Sequence, residues 1–562
     1  MKILGINGCG WLNVAHDASA VFLEKGKIKW AVEEERFIRQ KRAYDKKPFN
    51  AIKFCLEKEK VSLDDIDIVA FSWNWDKYLS KRLHQEYESN EALLNSFFPK
   101  KFFSYTKKPK ILKIEHHLAH ASSTFRCSGF ENAAILVVDG QGEYCSSSIW
   151  VGKKDESISK VWSNSIEESL GFLYSAACRY IGMRNGDEGK MMGLAPYGKP
   201  QDTTITKISK FRPRLIKDDL NRRDGQMRPI IEQWIRFFEK EFGSKDSTKI
   251  SFNNLEGSMT KNIKFTKFQK DFAASVQKYL EIEVIKLAKK AVNMTGSDNL
   301  CLAGGVALNC VANSKILENG IVKEMYVQPA SNDAGTAIGA AMEASFMLEE
   351  NRSLEKLSSV YFGPDYSNKD IKKLLDSYRI NYKKFRDISK ICAELLHKGE
   401  VVAWFQGKME FGPRALGNRS ILANPTKKDT WIKVNKIKNR ELWRPFAPSI
   451  LFEKTENYFD IRDNFYFMII ASKVKKDKIK EIPAVVHQDK TSRPHAVYQN
   501  SNKKYYNLIK NFEKLSGIPV ILNTSFNDKG EPLVCTPKDA IRTFFSSNLK
   551  YLAIGDFLIE KN

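Results

Sequence analysis

The 562-residue sequence contains no run of about eighteen apolar residues, which excludes a helix built to cross a bilayer. No leader is visible either. Lys2-Ile3-Leu4-Gly5-Ile6 reads at once as a strand, with neither the features of a secretory signal nor those of a transit peptide. Cysteine is sparse: Cys9, Cys55, Cys127, Cys145, Cys178, Cys301, Cys310, Cys392 and Cys535 are odd in number, scattered, and never form a C-x-x-C pair. That argues against a disulfide framework and against a cysteine-based zinc site, and a cytoplasmic location is expected. There is no basic tail and no basic helix interleaved with aromatics. The net charge of +24 is spread along the whole chain, so it argues for a lysine-rich surface and acidic small substrates, and against a nucleic-acid partner.

What is present is concentrated in short motifs. The run Glu410-Phe411-Gly412-Pro413-Arg414-Ala415-Leu416-Gly417-Asn418-Arg419-Ser420 combines an acid, two arginines and two glycines. Glycine lets backbone N–H groups approach a ligand, and arginine matches planar oxyanions with paired hydrogen bonds. The combination suits a phosphate or a carbamate-like carboxylate. Lys436, Lys438, Arg440, Arg444 and Arg493 add positive charge, and Asn523-Thr524-Ser525-Phe526-Asn527 ends an apolar strand with hydroxyl and amide groups. Together they could enclose a polyanion, against a wall made by Trp443-Arg444-Pro445-Phe446-Ala447-Pro448.

The length predicts two or three domains. Two early segments look alike: a strand at residues 3–6, a polar turn and a strand at 18–23; then a strand at 135–138, a polar turn and a strand at 146–151. A duplicated α/β core of this kind would set its two turns across a nucleotide cleft, the phosphate-loop logic of the actin/sugar-kinase/Hsp70 superfold. Further helices are predicted over 265–294, 333–349, 388–397 and 538–546, and strands over 299–303, 325–328, 401–405 and 520–523. A boundary is expected in the polar stretch 350–368, giving units of 1–350 and 369–562 joined by 351–368. Residues 199–260 are polar and charge-rich, and are expected to be irregular.

In His116-His117-Leu118-Ala119-His120, the first and last histidines share a helix face at metal-ligand spacing. Asp333 is the candidate carboxylate, completing a set suited to iron, manganese or zinc; it is equally suited to being a plain N-cap. Asp139-Gly140-Gln141-Gly142-Glu143 could aim N–H groups at phosphates and a carboxylate at a metal, although such turns also occur in ordinary hairpins. Gly304, Gly305 and Asn309 follow a strand and suit a nucleotide against backbone. Lys190 opens a Gly/Met/Pro loop to Gly198, and His16 beside Asp17 could serve as a general base.

These motifs together are similar to those of the O-carbamoyltransferases that modify antibiotics and nodulation factors. The resemblance covers nearly the whole chain: HDASA at 16–20, HHLAHA at 116–121, VDGQGE at 138–143, KMMGLAPYG at 190–198, GGVALN at 304–309, SNDAGTAIGAA at 331–341, EFGPRALGNRSI at 410–421, RPFAPS at 444–449 and NTSFN at 523–527. It implies an ASKHA-type N-terminal domain, like the tRNA threonylcarbamoyl-transferases, with Fe(II) on His116, His120 and Asp333. It also implies a C-terminal domain with a YrdC-like twisted sheet. That domain would make carbamoyl adenylate from carbamoyl phosphate and ATP, with Mg a companion of the nucleotide. An acceptor hydroxyl on a small molecule would then take the carbamoyl group, with His16 and Asp17 as the catalytic pair. The cofactor-binding candidates are Asp139, Gly140, Gly142, Glu143, Lys190, Gly304, Gly305, Asn309, Glu410, Arg414, Asn418, Arg419, Ser420, Lys436, Arg440, Arg444, Arg493, Asn523, Ser525 and Asn527. Relatives of this type are often homodimers. The chain departs from them at residues 491–497: Arg493 is kept, but Pro494 and His495 alter the local carbamoyl contacts. A hydrogenase-maturation carbamoyltransferase, acting on a protein cysteine, would bring paired C-x-x-C motifs. A threonylcarbamoyl enzyme would bring an RNA-binding face, and a non-enzymatic nucleotide-binding protein would leave the arginines and the metal set without a purpose.

Overall fold

Strand β1 (Lys2–Asn7) is buried at every residue but its first, so it belongs inside a sheet rather than at an edge. In the computed structural model, which describes residues 1–8, 16–77, 89–216, 227–243, 265–348, 355–460 and 467–561, β1 pairs antiparallel with β2 (Ser19–Glu24). β2 pairs in turn with β3 (Lys27–Glu33). On its other side β1 runs parallel to β4 (Ile68–Phe71), and β4 to β5 (Lys110–Lys113). The order is β3-β2-β1-β4-β5. The second sheet repeats this plan. β6 (Asn132–Val138), β7 (Ser147–Lys153) and β8 (Ser159–Ser163) form the antiparallel meander, and β9 (Asn299–Ala303) and β10 (Glu324–Val327) extend it in parallel. The duplication expected from the two strand–turn–strand segments is thus a duplication of topology.

Each fifth strand leads into a helix, and these two helices meet. The helix His116–Phe125 follows β5; a short 3₁₀ turn at Asp333–Gly335 and the helix Thr336–Met347 follow β10. Their approach is close because Gly339 has no side chain: a Cβ there would lie 1.7 Å from the Ala119 carbonyl oxygen. A Cβ on Gly5 of β1 would lie 2.1 Å from the Ala337 carbonyl. Small residues therefore set the spacing that places the start of one helix beside the start of the other.

The remaining strands form a mixed α/β layer. β11 (Lys383–Lys384), β12 (Val402–Phe405), β13 (Arg419–Ala423) and β14 (Ala447–Leu451) come first, then a separate two-stranded pair, β15 (Ser472–Lys473) with β16 (Thr491–Ser492). β17 (His495–Val497), β18 (Val520–Ser525), β19 (Tyr551–Ile554) and β20 (Phe557–Glu560) complete an eight-stranded sheet of order β11-β20-β19-β12-β13-β18-β14-β17. Both faces are covered. Val402, Trp404 and Leu422 join one apolar cluster with the helices Ile388–His397 and Lys503–Ser516. Ala403, Phe405 and Ile421 join the other, with Asn368–Ser377 and Pro537–Phe545. That alternation is the period of a strand buried on both sides.

One expectation needs correction. Residues 199–260 are not irregular where described: Asp202–Lys210 and Met227–Phe242 are helices. Ile230, Ile231, Trp234 and Phe238 recur at helical spacing and are buried against Tyr180 and Phe272. Residues 217–226 and 244–264 lie outside the described part. The stretch expected to link two units is pinned from residue 355 onward. Leu357 N–H donates to Cys127 O (2.9 Å) on one side, and Gly363 N–H to Met409 O (2.9 Å) on the other. Among the described residues the eight cysteines are free and buried, and no helix is long and apolar enough to cross a membrane.

Gly339→Ala forces a methyl into the Ala119 carbonyl. It is expected to lower stability by about 1–3 kcal/mol, read as a reduced urea midpoint at unchanged m-value.

Candidate active site

His116 and His120 stand one turn apart on a fully buried helix start, with their Nε2 atoms turned to two carboxylates. Asp139 Oδ2 is 3.5 Å from His116 Nε2 and 3.3 Å from His120 Nε2; Asp333 Oδ1 is 3.7 and 3.9 Å from the same atoms. All four donor atoms lie within 4.8 Å of one another. His116 Nδ1 is 3.2 Å from the Ser72 carbonyl, which fixes hydrogen on Nδ1 and leaves Nε2 a lone pair. Neither Nε2 has a hydrogen-bond partner, though both are buried. Two orphaned imidazole nitrogens facing two carboxylate oxygens, at separations near those between ligands of one ion, are a donor set that fits a divalent metal. Burial opposes charge on His116, but Asp333 and Asp139 overcome it and raise the ring to about 10, so an ion binding there has to displace the Nε2 proton. Burial likewise opposes charge on Asp139, yet the two histidines hold it well below the usual carboxylate range.

Asp333 is not an N-cap. The 3₁₀ turn it opens has no side-chain cap, so its carboxylate is available to the histidines. Asp139, placed above among cofactor-binding residues, belongs with the metal set. Its other oxygen accepts from Gly305 N–H (3.0 Å) and so ties that set to the Gly304–Gly305 turn. Gly304 has φ +92, and a Cβ there would lie 2.3 Å from the Val138 carbonyl, so the turn needs glycine. His16 lies beside the cluster. Its Nδ1 is 2.9 Å from Asp17 Oδ2 and 3.9 Å from Asp333 Oδ2. Burial lowers its proton affinity, but Asp333 and Asp17 outweigh burial and raise it to about 9. The turn is laced to the sheet by Asn7 Nδ2, which donates to Asp17 O (3.1 Å), and by Ser72 Oγ, which donates to Asn7 Oδ1 (2.9 Å).

Several other candidates turn out to hold the framework. Glu143 Oε1 accepts from the backbone N–H of His116 (2.8 Å) and of Asn74 (2.9 Å). It thereby caps the histidine helix. Gly140 and Gly142 make room for Phe172 and His117, whose atoms a Cβ would meet at 2.9 and 2.6 Å. Asn309 caps its helix through Ala312 N–H (3.0 Å) and pairs its amide with Gln277 (3.0 Å). Glu410 Oε1 gathers the N–H groups of Leu416, Asn418 and Arg419 at 2.8, 2.8 and 3.1 Å. Arg419 is fully buried, lies over Phe405, and donates to the carbonyls of Gln406, Gly407 and Pro364. Its guanidinium is spent on closing the loop. Ser420 Oγ accepts from Gly417 N–H and Asn418 Oδ1 from Asn502. Asn523 Nδ2 reaches Ala415 O (3.1 Å).

Arg414 is the exception. Its Nη2 is 3.4 Å from the carbonyl of Leu308, at the end of the glycine turn of the first sheets, while its Nε is buried without a partner. Arg493 Nε is in the same state. Burial and the nearby Arg493 push Arg414 down to about 9. Arg440 is lowered by burial, Arg444 and Arg493; Lys438 by burial, Arg440, Arg444 and Lys41. Ser525 and Asn527 hold the Lys438 ammonium, with Asn527 Oδ1 at 2.8 Å. Lys190 is paired with Asp187 (2.8 Å) at the rim. Lys436 is exposed, so Lys438 occupies the place expected for it. Lys41 was not foreseen: it comes from the N-terminal half with no motif around it, and only the fold brings it to Arg444. Like charges kept this close, with Glu441 3.6 Å from Arg444 as a near counter-ion, await a polyanion.

Comparison with known proteins shows the family. The family described as Carbamoyltransferase N-terminus matches residues 2–342, and Carbamoyltransferase C-terminus matches residues 393–561. The chain belongs to the carbamoyltransferase family. This carbamoyltransferase is 35% identical to nodulation protein NolNO of Sinorhizobium fredii over 97% of its own length and 79% of the relative's. It is 35% identical to nodulation protein NolO of Bradyrhizobium diazoefficiens over 80% of its length and 79% of that protein's. An uncharacterized protein of Synechocystis is also 35% identical, over 97% and 95% of the two chains. The protein is a carbamoyltransferase enzyme.

The two arginines of the 410–420 loop should behave oppositely on removal. Arg419→Ala abandons several buried carbonyls and is expected to cost about 3 kcal/mol. Arg414→Ala relieves like-charge crowding and should cost less than about 1 kcal/mol. Urea unfolding of the two variants checks this; equal losses would contradict the division of roles.

Proposed function

We propose that the protein is an ATP-dependent O-carbamoyltransferase that makes carbamoyl adenylate at the arginine–lysine cluster and transfers its carbamoyl group to a small-molecule hydroxyl beside His16. The observation that carries this reading is the meeting of the two clusters at one contact, Arg414 against the carbonyl of Leu308. The division of labour follows the sheets: residues 1–350 as an ASKHA-type transfer unit, and 369–562 as a YrdC-like adenylate-forming unit.

In the first half-reaction water hydrolyses carbamoyl phosphate to carbamate and inorganic phosphate, and a carbamate oxygen then attacks the α-phosphorus of ATP, expelling pyrophosphate. The charge on the moving phosphates is met by Arg414, Arg493, Arg440, Arg444, Lys438 and Lys41, of which Lys438 is buried and Lys41 exposed at the edge. Adenylation matters because carbamate is a poor electrophile and AMP is a good leaving group. In the second half-reaction the acceptor oxygen bonds to the carbamoyl carbon, the carbon–oxygen bond to AMP breaks, and His16, in the neutral form that prevails only above about pH 9, takes the hydroxyl proton. Asp17 orients that ring through Nδ1 and stabilises the cation that forms. His116, His120, Asp139 and Asp333 would hold a divalent ion, Fe(II) by the family resemblance since the donor set suits manganese or zinc as well, and it would supply Lewis acidity toward a carbonyl. The acceptor class rests on the family, since the residues around His16 carry no local code for one hydroxyl compound over another.

Pyrophosphate release from ATP is expected to require carbamoyl phosphate and to fall at least about 100-fold in Arg414→Ala. In His16→Ala the same release should persist while transfer to an acceptor falls about 100-fold. Release that ignores carbamoyl phosphate, or survives in Arg414→Ala, would refute the assignment.

A further inference from the structure

The two histidines of the metal set are not held alike. His116 Nδ1 meets the Ser72 carbonyl at 3.2 Å, whereas His120 Nδ1 has no hydrogen-bond partner among the described residues. Their rings stand nearly perpendicular, 83° apart, with centroids separated by 4.7 Å. An imidazole meets an ion along the Nε2 lone pair, which lies in the plane of the ring. The torsion that turns this plane is one of the soft ones of a side chain. One hydrogen bond at Nδ1 restrains the ring at a single atom, and a fixed plane needs a second restraint.

Trp73 supplies it. Its indole stacks on the His116 ring, with centroids 3.9 Å apart and 19° between the planes. His116 is fully buried, and the half-buried indole covers one face of it. The tryptophan is itself carried on pinned backbone. Ser72, just before it, donates its N–H to Ile6 O of β1 (3.0 Å) and its hydroxyl to Asn7 Oδ1 (2.9 Å). Asn74, just after it, donates its N–H to Glu143 Oε1 (2.9 Å), the oxygen that also accepts from His116 N–H (2.8 Å). Trp75 then packs edge-on to Phe71 of β4, with centroids 5.5 Å apart. Three successive residues therefore grip one histidine in three ways. Ser72 holds Nδ1, Trp73 holds the ring face, and Asn74 holds the acid that caps the helix. None of the three belongs to the motifs read from the sequence.

We infer that Trp73 is a positioning residue for the metal ligand His116: the stacked indole sets the plane of the imidazole and so aims Nε2 at the place where His120, Asp139 and Asp333 converge. The inference rests on the metal reading of that four-donor set, and is independent of the adenylation step and of the acceptor. A side chain mounted at the end of a sheet strand suits this task, because a ligand is positioned only as well as the group that supports it.

The test is calorimetric titration of the metal-stripped full-length protein with Co(II), whose visible d–d bands also report the geometry of its ligands. Wild type is compared with Trp73→Leu, Trp73→Gln and Trp73→Phe. The leucine and glutamine variants lose the stack and are expected to bind Co(II) about 10-fold more weakly, with shifted d–d bands. Trp73→Phe keeps an aromatic face and should stay within about 3-fold of wild type, with the wild-type spectrum. Two non-aromatic variants are used so that misfolding of one leaves the comparison intact, and urea unfolding of the metal-free proteins identifies the folded ones. A folded non-aromatic variant with wild-type affinity and spectrum overturns the inference, because a lowered urea midpoint alone is what plain packing would give. Equal weakening in the phenylalanine variant overturns it too, since the aromatic face would not be the cause. If wild type binds Co(II) no more tightly than Asp333→Ala does, the metal reading falls and takes the inference with it.

Discussion

The close approach of the helices His116–Phe125 and Thr336–Met347 is the constraint on which the rest depends. Gly339 brings one helix against the Ala119 carbonyl of the other. Because each helix follows the fifth strand of its own sheet, the contact joins equivalent places in two copies of one topology. His116 and His120 come from the first copy and Asp333 from the second, while Asp139 ends the strand that opens the second sheet. The resulting set of buried bases and acids is stable only because each charge has an opposite beside it, and the same proximity makes it a cradle for a cation.

A second electrostatic imbalance, of opposite sense, lies at the third sheet. Burial and neighbouring cations push Arg414, Arg440 and Lys438 down, the neighbours being Arg493, Arg444, Lys41 and one another. Structural arginines look different. Arg419 spends both of its Nη groups on backbone carbonyls, although its Nε is left without a partner, and Arg36 pairs with Glu33 at 2.8 Å and with Glu35 at 2.7 Å. The contrast separates arginines that build the loop from those that face a ligand. The contact of Arg414 with the Leu308 carbonyl places the two imbalances next to each other in one chain.

Much of this was legible in the sequence. The strand–turn–strand repeat foretold the duplicated sheets, and the helix 388–397 and strand 299–303 fall where their periodicity put them. The His116/His120 spacing foretold a shared face, since helical geometry is local. Roles inside the 410–420 loop were not legible: Arg414 and Arg419 are the same residue type, and only tertiary contacts decide which charge is spent internally. Lys41 was invisible for the same reason, its neighbours being about four hundred residues away in the chain. Asn309 and Glu143 cap helices in the fold, a role the sequence does not separate from nucleotide contact, because the two ask for the same side chains. The helix Met227–Phe242 was under-read because its charged face masks the buried stripe of Ile230, Trp234 and Phe238.

The account's central claim is that two half-reactions occupy two sites, and carbamoyl-phosphate-dependent exchange of labelled pyrophosphate into ATP tests it most directly when made on Asp333→Ala. The account predicts that exchange continues within about twofold of wild type, while carbamoyl transfer to any acceptor is lost. Loss of exchange in a folded Asp333→Ala protein that still binds inorganic phosphate would contradict it, because the carboxylate would then serve the adenylate-forming step.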